Sequence, residues 1–511
     1  MKKKNMKGKQ AREIDRHLAV VWSDRGCDLS CPGHFEQAID CFDKALELDS
    51  HIANIWFNKG TCLAEFGRCD DALSCYDKAL ELDPRRADAW ANKGVSLIIL
   101  GRYEEAIDCY DKALTLDPGD ADVWNNKGTC LAEFGRCDDA LSCYDKALAL
   151  DPGDAAAWNN KGVSYFHLGR LEEAIRCYDK ALELDPRKVN AWTNKGVSLT
   201  KLDRYDDAVR CYDKALALDP GDADVWNNKG ASLENLCRYD DAVRCFDKAL
   251  ALDPGYAAAW YNKGNGLDNL GRYDDAVRCF DKALALDPGY AAAWNNKGSS
   301  LRSLGHFEEA IHCYDKALEL DPRKVNAWNN KGASLENLCR FEEALGCLDK
   351  ALELDPNHVN AWNNKGNSYF HLGRLEDAID CYDKALALDP GDAAAWNNKG
   401  AILNSLGRYE EGLRCCDKAL ELGLRDTNIW NNKGASLDSL GRYEEAIDCY
   451  DRVLELDPRK VNAWYNKALA EDKLSKSQEA IHSYQQFLAL VPAQYVEPIE
   501  YACKRLQELG E

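Results

Sequence analysis

The stretch Ala87–Asp120, ADAWANKGVSLIILGRYEEAIDCYDKALTLDPGD, decides the fold. Its first half places Trp90, Gly94 and Leu97 at helical spacing, and its second half contains another apolar stripe around Tyr110. Both stripes have the period of an α-helix rather than the alternation of a β-strand. The stretch therefore predicts two consecutive helices.

The same stretch contains the signals that end these helices. Gly101 lies between the two stripes, and Pro118 closes the second one, since proline cannot continue a helix. Gly94 and Gly101 leave room for a neighbouring helix to approach closely. We expect a helical hairpin joined by a tight turn.

The tryptophans show that this hairpin is repeated. All fourteen of them follow one another at an interval of 34 residues: Trp22, Trp56, Trp90, Trp124, Trp158, Trp192, Trp226, Trp260, Trp294, Trp328, Trp362, Trp396, Trp430 and Trp464. A fixed period of this size indicates repeated supersecondary units. One helix pair buries too little apolar surface to offset the entropy of ordering it, so neighbouring pairs must stack into an array.

The repeats divide the chain into three parts. Residues 1–18 form a basic tail for which we expect disorder. Residues 19–494 form fourteen repeats, of which the first and the last depart from the pattern and are expected to cap the array. Residues 495–511 are expected to form a final capping helix.

Composition excludes several classes of protein. The 511 residues are 46% hydrophobic and 30% charged, and their net charge of −22 disfavours nucleic acid as a partner. No run approaches the roughly 18 consecutive apolar residues of a membrane span, so we expect no membrane partner. The chain begins without a recognisable export signal and contains 23 cysteines, a composition that favours reduced thiols and a cytoplasmic location.

The repeat resembles the tetratricopeptide repeat family over residues 19–494, on signature positions that include Trp90, Gly94, Leu97, Tyr103, Ala106, Tyr110, Ala113 and Pro118. The resemblance implies an all-α, right-handed superhelical solenoid of antiparallel helix pairs whose first helices line a concave groove. It also implies a scaffold that binds proteins or peptides. The chain departs from the family at Lys93 and its equivalents, where an aliphatic residue is usual; there we expect the lysine stem to pack and the ammonium to reach solvent.

One position of the first helix is asparagine in thirteen successive repeats: Asn58, Asn92, Asn126, Asn160, Asn194, Asn228, Asn262, Asn296, Asn330, Asn364, Asn398, Asn432 and Asn466. Asparagine is a mediocre helix former, so this ladder needs another explanation. The side-chain amides would bind the backbone of an extended peptide, or they would link adjacent first helices. Both interpretations can hold together.

Specificity is expected from variable positions one turn further along the first helix. Acids outnumber bases there, which favours neutral or basic peptide segments as partners. Phe166 and Phe370, each followed by histidine, are candidates for two apolar pockets. The segments around them are near copies, however, and recent duplication explains the similarity equally well.

The remaining chemistry-bearing residues suggest packing rather than catalysis. Thirteen cysteines repeat beside the apolar stripe of the second helix, where cysteine behaves as a small apolar residue. Cys27, Cys31 and His34 have only a remote likeness to a zinc site. We find no catalytic constellation and predict no enzyme activity, no cofactor and no metal.

The sequence thus predicts a scaffold that binds extended peptide segments along an asparagine-lined groove. A metal- or redox-responsive protein that uses its cysteines is one alternative. A structural spacer without a groove ligand is another.

Overall fold

The structure, a computed structural model, describes residues 2–492 and 494–510, with side chains from Arg12 onward. It forms two compact units that divide after Pro254. All regular secondary structure in the described residues is α-helical, and within each unit consecutive helices pack as antiparallel pairs. The predicted all-α solenoid of helix pairs is confirmed, and the 29 helices fit fourteen pairs plus one final helix.

The first unit contains α1 to α14, in chain order Lys2–Leu29, Phe35–Leu48, Ala53–Glu65, Cys69–Leu82, Ala87–Ile99, Tyr103–Leu116, Ala121–Glu133, Cys137–Leu150, Ala155–His167, Leu171–Leu184, Val189–Lys201, Tyr205–Leu218, Ala223–Asn235 and Tyr239–Leu252. The second unit contains α15 to α29, in chain order Ala257–Asn269, Tyr273–Leu286, Ala291–Ser303, Phe307–Leu320, Val325–Asn337, Phe341–Leu354, Val359–His371, Leu375–Leu388, Ala393–Ser405, Tyr409–Glu421, Thr427–Ser439, Tyr443–Leu456, Val461–Lys473, Ser477–Leu490 and Val496–Leu509. Odd-numbered helices up to α27 are the first helices of their pairs.

Close packing inside a pair depends on the glycine of the first helix. A Cβ atom added to Gly94 would lie 2.8 Å from the ring of Tyr110, which is fully buried in the partner helix. Carbon atoms do not approach so closely, so only glycine fits there. The close approach predicted from the sequence is therefore confirmed at Gly94. At Gly101 it is wrong, because this glycine lies in the turn at φ +71° and no described atom lies within 4 Å of an added Cβ.

Neighbouring pairs are joined by a polar contact that the sequence did not reveal. The Lys93 ammonium lies 2.5 Å from a carboxylate oxygen of Asp77, on the second helix of the preceding pair, and 5.6 Å from the Trp90 ring centroid. The lysine was expected to reach solvent, but it pairs with this aspartate instead. Each such pair is half exposed and contributes at most about 1 kcal/mol, yet equivalents recur along both units.

The structure differs from the sequence prediction at the amino terminus. Disorder was expected for residues 1–18, whereas α1 runs without interruption from Lys2 through this segment to Leu29. The segment is rich in lysine, arginine and other good helix formers, and no proline precedes Pro32. Met1 lies outside the described residues.

The carboxyl-terminal helix α29 packs against the last helix pair. Ala502 is fully buried there and belongs to the same apolar cluster as Tyr484 and Phe487. The Arg505 guanidinium pairs with the Asp472 carboxylate at 2.6 Å. Among the described residues, no helix combines the length and apolar character needed to cross a membrane.

Candidate functional site

Successive first helices form one face of each unit. Within a unit, a first helix contacts the first helix of the next pair in addition to its own partner. This first-helix face comprises the positions equivalent to Ala91, Asn92, Val95, Ile98 and Ile99. Val95 and Ile99 are 39% and 64% exposed, whereas Ala91 is buried. The face is thus partly open to solvent.

The ladder asparagines link adjacent first helices. Asn194 Nδ2, for example, donates a hydrogen bond to Asn159 Oδ1 of the preceding first helix at 3.3 Å. At least nine ladder residues donate to the preceding first helix: Asn58, Asn92, Asn160, Asn194, Asn296, Asn330, Asn364, Asn398 and Asn432. Equivalent positions of α7, α13, α15 and α27 hold Asn126, Asn228, Asn262 and Asn466.

A second column of asparagines accepts several of these bonds. The residue directly before the ladder position supplies the acceptor in Asn125, Asn159, Asn329 and Asn397. Sequence reasoning did not single out this column. The recurring Asn-Asn dipeptide was the signal that could have revealed it.

The linking contacts leave part of the amide unused at ladder positions such as Asn194, Asn364 and Asn432. An asparagine side chain offers two N–H donors and an oxygen with two lone pairs, and at these positions one N–H makes the described link. Asn160 and Asn296 instead donate to two acceptors each. The ladder side chains are half-buried. The link also fixes their orientation, which reduces the entropy lost when a ligand binds.

The two phenylalanines predicted to form pockets have different surroundings. Phe166 in α9 is half-buried, and the Lys201 ammonium of the next first helix lies 4.4 Å from its ring centroid. A cation at this distance interacts favourably with the face of the ring and covers it. The Phe166 ring is therefore already occupied by a side chain of the same unit.

Phe370 in α21 instead borders a cavity of about 300 Å³, which is lined by Glu336, Asn367, Phe370, His371, Tyr382, Asn398, Ala401 and Ile402. Phe370 is 40% exposed, and His371 stacks on Phe341 with ring centroids 4.8 Å apart. Glu336 comes from α19, Tyr382 from α22 and the last three residues from α23. We call this space the Glu336 cavity; it contains a carboxylate and two amides, so it is not the purely apolar pocket that the sequence suggested.

The polar groups of the cavity differ in how well they are paired. The Tyr382 hydroxyl and the Asn398 amide both donate to Asn367 Oδ1. No hydrogen bond or ion pair of the Glu336 carboxylate is found within the described part of the chain, and burial raises its pKa from 4.5 to about 7. Burial, and then the charge of Glu336, raise the pKa of Tyr382.

Equivalent acids elsewhere on the first-helix face show what pairing does. Burial also raises the pKa of Glu234 to about 7. Burial raises the pKa of Asp268, but the Ser300 hydroxyl donates to this carboxylate and opposes the shift. Asp438 is neutralised by the Lys473 ammonium at 3.3 Å. Glu336 therefore differs from these last two in combining burial with the lack of a described partner.

The cysteine ladder is buried in the second helices. Burial raises the pKa of several of these thiols, for example those of Cys211 and Cys449 to about 11. A protonated, buried thiol reacts poorly. The exposed Cys31 sulfur lies 3.6 Å from His34 Nδ1, but no cluster of three or more His, Cys, Asp or Glu side chains that could hold a metal occurs within the described ranges.

Comparison with known families gives three matches. The family model of the cilia and flagella-associated protein 70 C-terminal domain matches residues 93–259 and 290–489. Two models of the tetratricopeptide repeat match residues 63–121 and 257–290. None of the curated proteins matches the chain.

Solved structures give partial likenesses. The crystal structure of the APC/C hetero-tetramer Cut9-Hcn1 has a TM-score of 0.42 and 18% identity, and the match covers 98% of this chain and 96% of that one. YrrB, a tetratricopeptide repeat protein with an unusual peptide-binding site, has a TM-score of 0.31 and 30% identity over 35% of this chain and 92% of its own. MamA has a TM-score of 0.31 and 27% identity over 32% and 96%.

Proposed function

Because the chain belongs to the family of tetratricopeptide repeat domains represented by the cilia and flagella-associated protein 70 C-terminal domain, we propose that it is a non-enzymatic scaffold that binds extended segments of partner proteins on its first-helix face. The observation that supports this most is the ladder of half-exposed asparagine amides on that face. At Asn194, Asn364 and Asn432 the amide makes one described link to the preceding helix and so keeps an N–H and an acceptor for a ligand.

The spacing of the ladder suits an extended peptide. Packed helices lie about 10 Å apart, and an extended chain advances about 3.3 Å per residue, so one amide meets about every third residue. Contacts of this kind are made with the peptide backbone and depend little on the side chains of the peptide. Selectivity then depends on the variable positions beside the ladder.

The charge of the chain favours neutral or basic partners. The net charge is −22, and unpaired acids such as Glu336 lie on the first-helix face. An acidic peptide would meet repulsion there, whereas a basic one would associate faster and be held more tightly. This partner class is expected to be encountered in the cytoplasm.

Two other functions have less support. A redox-responsive protein needs accessible thiolates, but the cysteine ladder is buried, and burial raises the pKa of members such as Cys211. A structural spacer has no need for the Glu336 cavity, whose carboxylate has no partner among the described residues and therefore costs stability.

Two double variants separate binding from linking. Asn160→Ala with Asn194→Ala removes two ladder amides, whereas Asn125→Ala with Asn159→Ala removes their asparagine acceptors and keeps the ladder. Random twelve-residue peptides would be selected by phage display against the full chain, and the affinity of selected peptides would be measured by fluorescence anisotropy. Circular dichroism would establish that both variants fold.

We expect the ladder variant to bind these peptides about tenfold more weakly than the acceptor variant, since two hydrogen bonds to the peptide are lost. Equal affinities for the two variants would assign the ladder to linking alone. Failure to select any peptide would contradict the proposed function itself.

A further inference from the structure

Glu336 is a carboxylate whose position folding alone does not explain. Buried charged groups in proteins are normally paired, because removal from water is costly. Within the described residues, neither a cation nor a hydrogen-bond donor of the chain reaches the Glu336 side chain, although the neighbouring Tyr382 and Asn398 are both paired with Asn367. Glu336 therefore attracts a cation that the described residues do not supply.

The space beside Glu336 suits a single long side chain. Its volume of about 300 Å³ is at the lower limit of small-molecule pockets, and it opens beside the exposed ring of Phe370. The Asn398 ladder residue lines the same cavity. A peptide bound along the ladder would thus pass the mouth of the cavity and could direct one side chain into it.

The lining selects the chemistry of that side chain. A carboxylate attracts a cation, and the face of an aromatic ring such as Phe370 adds a second attraction for the same charge. We propose that the Glu336 cavity binds the ammonium or guanidinium group of one lysine or arginine side chain of a peptide held on the first-helix face. This proposal rests on the proposed function and specifies the partner residue that the face recognises.

A divalent metal ion is a poorer occupant than an organic cation. Metal sites in proteins combine several oxygen, nitrogen or sulfur ligands, and among the described residues no group of three acidic, histidine or cysteine side chains is close enough for one. The cavity offers one carboxylate and aromatic rings instead. That combination is typical of sites for organic ammonium ions.

The cavity can be tested with a small probe of the lysine side chain. Ile402 lines the cavity, so its δ1 methyl signal in a methyl-TROSY spectrum of the full chain, assigned with the Ile402→Val variant, reports on occupancy. The probe is n-butylammonium chloride at constant ionic strength, and n-butanol serves as the uncharged control. We expect a saturable shift with n-butylammonium and a response to n-butanol at least about tenfold weaker.

Two variants decide whether Glu336 is responsible. Glu336→Gln preserves the shape of the side chain and removes its charge, and we expect it to weaken n-butylammonium binding at least about tenfold. Glu342→Gln removes the same charge from an exposed position in the first turn of α20 and should have no effect. Equal responses to both probes, or an unchanged affinity in Glu336→Gln, would overturn the proposal.

The display selection keeps this proposal separate from the proposed function. Peptides selected on the wild-type chain should share a lysine or arginine at one register, and peptides selected on Glu336→Gln should not. Selected peptides without such a register would overturn the cation site while leaving peptide binding intact. A chain that binds n-butylammonium but selects no peptide would retain the cation site and contradict the scaffold function.

Discussion

The segments 164–172 and 368–376 have the same sequence, SYFHLGRLE, but different surroundings. In the first, the ring of Phe166 is covered by Lys201 from the next repeat. In the second, Phe370 borders the cavity that Glu336 of the preceding repeat lines. The residue equivalent to Glu336 in the first region is Ala132. Neighbouring repeats, and not the duplicated segment, thus decide whether a cavity lies beside this phenylalanine.

The two regions also differ where the two helices of the preceding repeat meet, and this difference predicts the largest effect, on the reactivity of a cysteine. Cys137 begins α8 in the first region and is buried, and burial raises the pKa of its thiol. Cys339 lies exposed in the corresponding turn of the second region. We expect iodoacetamide at pH 8 to alkylate Cys339 about a hundredfold faster than Cys137, as measured by peptide mass spectrometry. Similar rates would show that α8 opens readily.

Occupancy of the second region should depend on pH. The pKa of Glu336 is about 7, and the other titratable groups that line the cavity are His371 on α21 and Tyr382 on α22. Only the deprotonated carboxylate attracts a cation, so affinity should rise with pH and level off above pH 7. Between pH 5.5 and 8 we expect about a thirtyfold gain for n-butylammonium.

Two variants serve as controls for this pH profile, because they separate the contributions of Glu336 and His371. His371→Gln removes the imidazole and should keep the rise with pH, whereas Glu336→Gln should give a flat profile. A rise that persists in Glu336→Gln would assign the dependence to another group.

The two phenylalanines provide a matched pair of variants. Phe370→Ala should weaken binding of display-selected basic peptides about tenfold, because one aromatic contact to the cation and the wall of the cavity are lost. Phe166→Ala should change affinity less than about twofold, since Lys201 already covers that ring. Fluorescence anisotropy measures both, and comparable losses would remove the distinction between the regions.

The buried carboxylate should also reduce stability at neutral pH. Burial raises the pKa of Glu336 from its ordinary value of 4.5 to about 7, so the folded state keeps this proton to a higher pH than the unfolded state does. The free energy of unfolding therefore falls as pH rises from 4.5 to about 7 and is level above that. Glu336→Gln should therefore raise it at pH 8 by about 1 kcal/mol, allowing for partial exposure, and change little at pH 4. The free energy of unfolding is measured by urea denaturation, and Glu342→Gln should change it at neither pH. A loss of stability at pH 8 in Glu336→Gln would show that the charge of Glu336 is compensated.

Much of the fold follows from the sequence because it rests on local, repeated constraints. The period of 34 residues, the Gly94–Tyr110 contact and the proline stops each act within one repeat. The helical amino terminus was missed because a charged segment can form a helix when helix formers dominate and nothing interrupts them. The pairing of Lys93 with Asp77 was missed because it joins two repeats.

The candidate site was less predictable for the same reason. The asparagine ladder was visible in the sequence, but the acceptors in the preceding helices depend on the register of two helices. Glu336 belonged to a variable position among several acids. Only packing shows that Asp438 has a partner among the described residues, whereas Glu336 has none there. Phe166 and Phe370 are indistinguishable by their own segments.

The most direct test of peptide recognition on the first-helix face is a crystal structure of the chain with a display-selected peptide. It should show an extended peptide whose backbone groups bond to the ladder amides, including Asn398, and whose lysine or arginine lies in the Glu336 cavity. A peptide bound on the second helices, with the ladder amides and the cavity free, would contradict it.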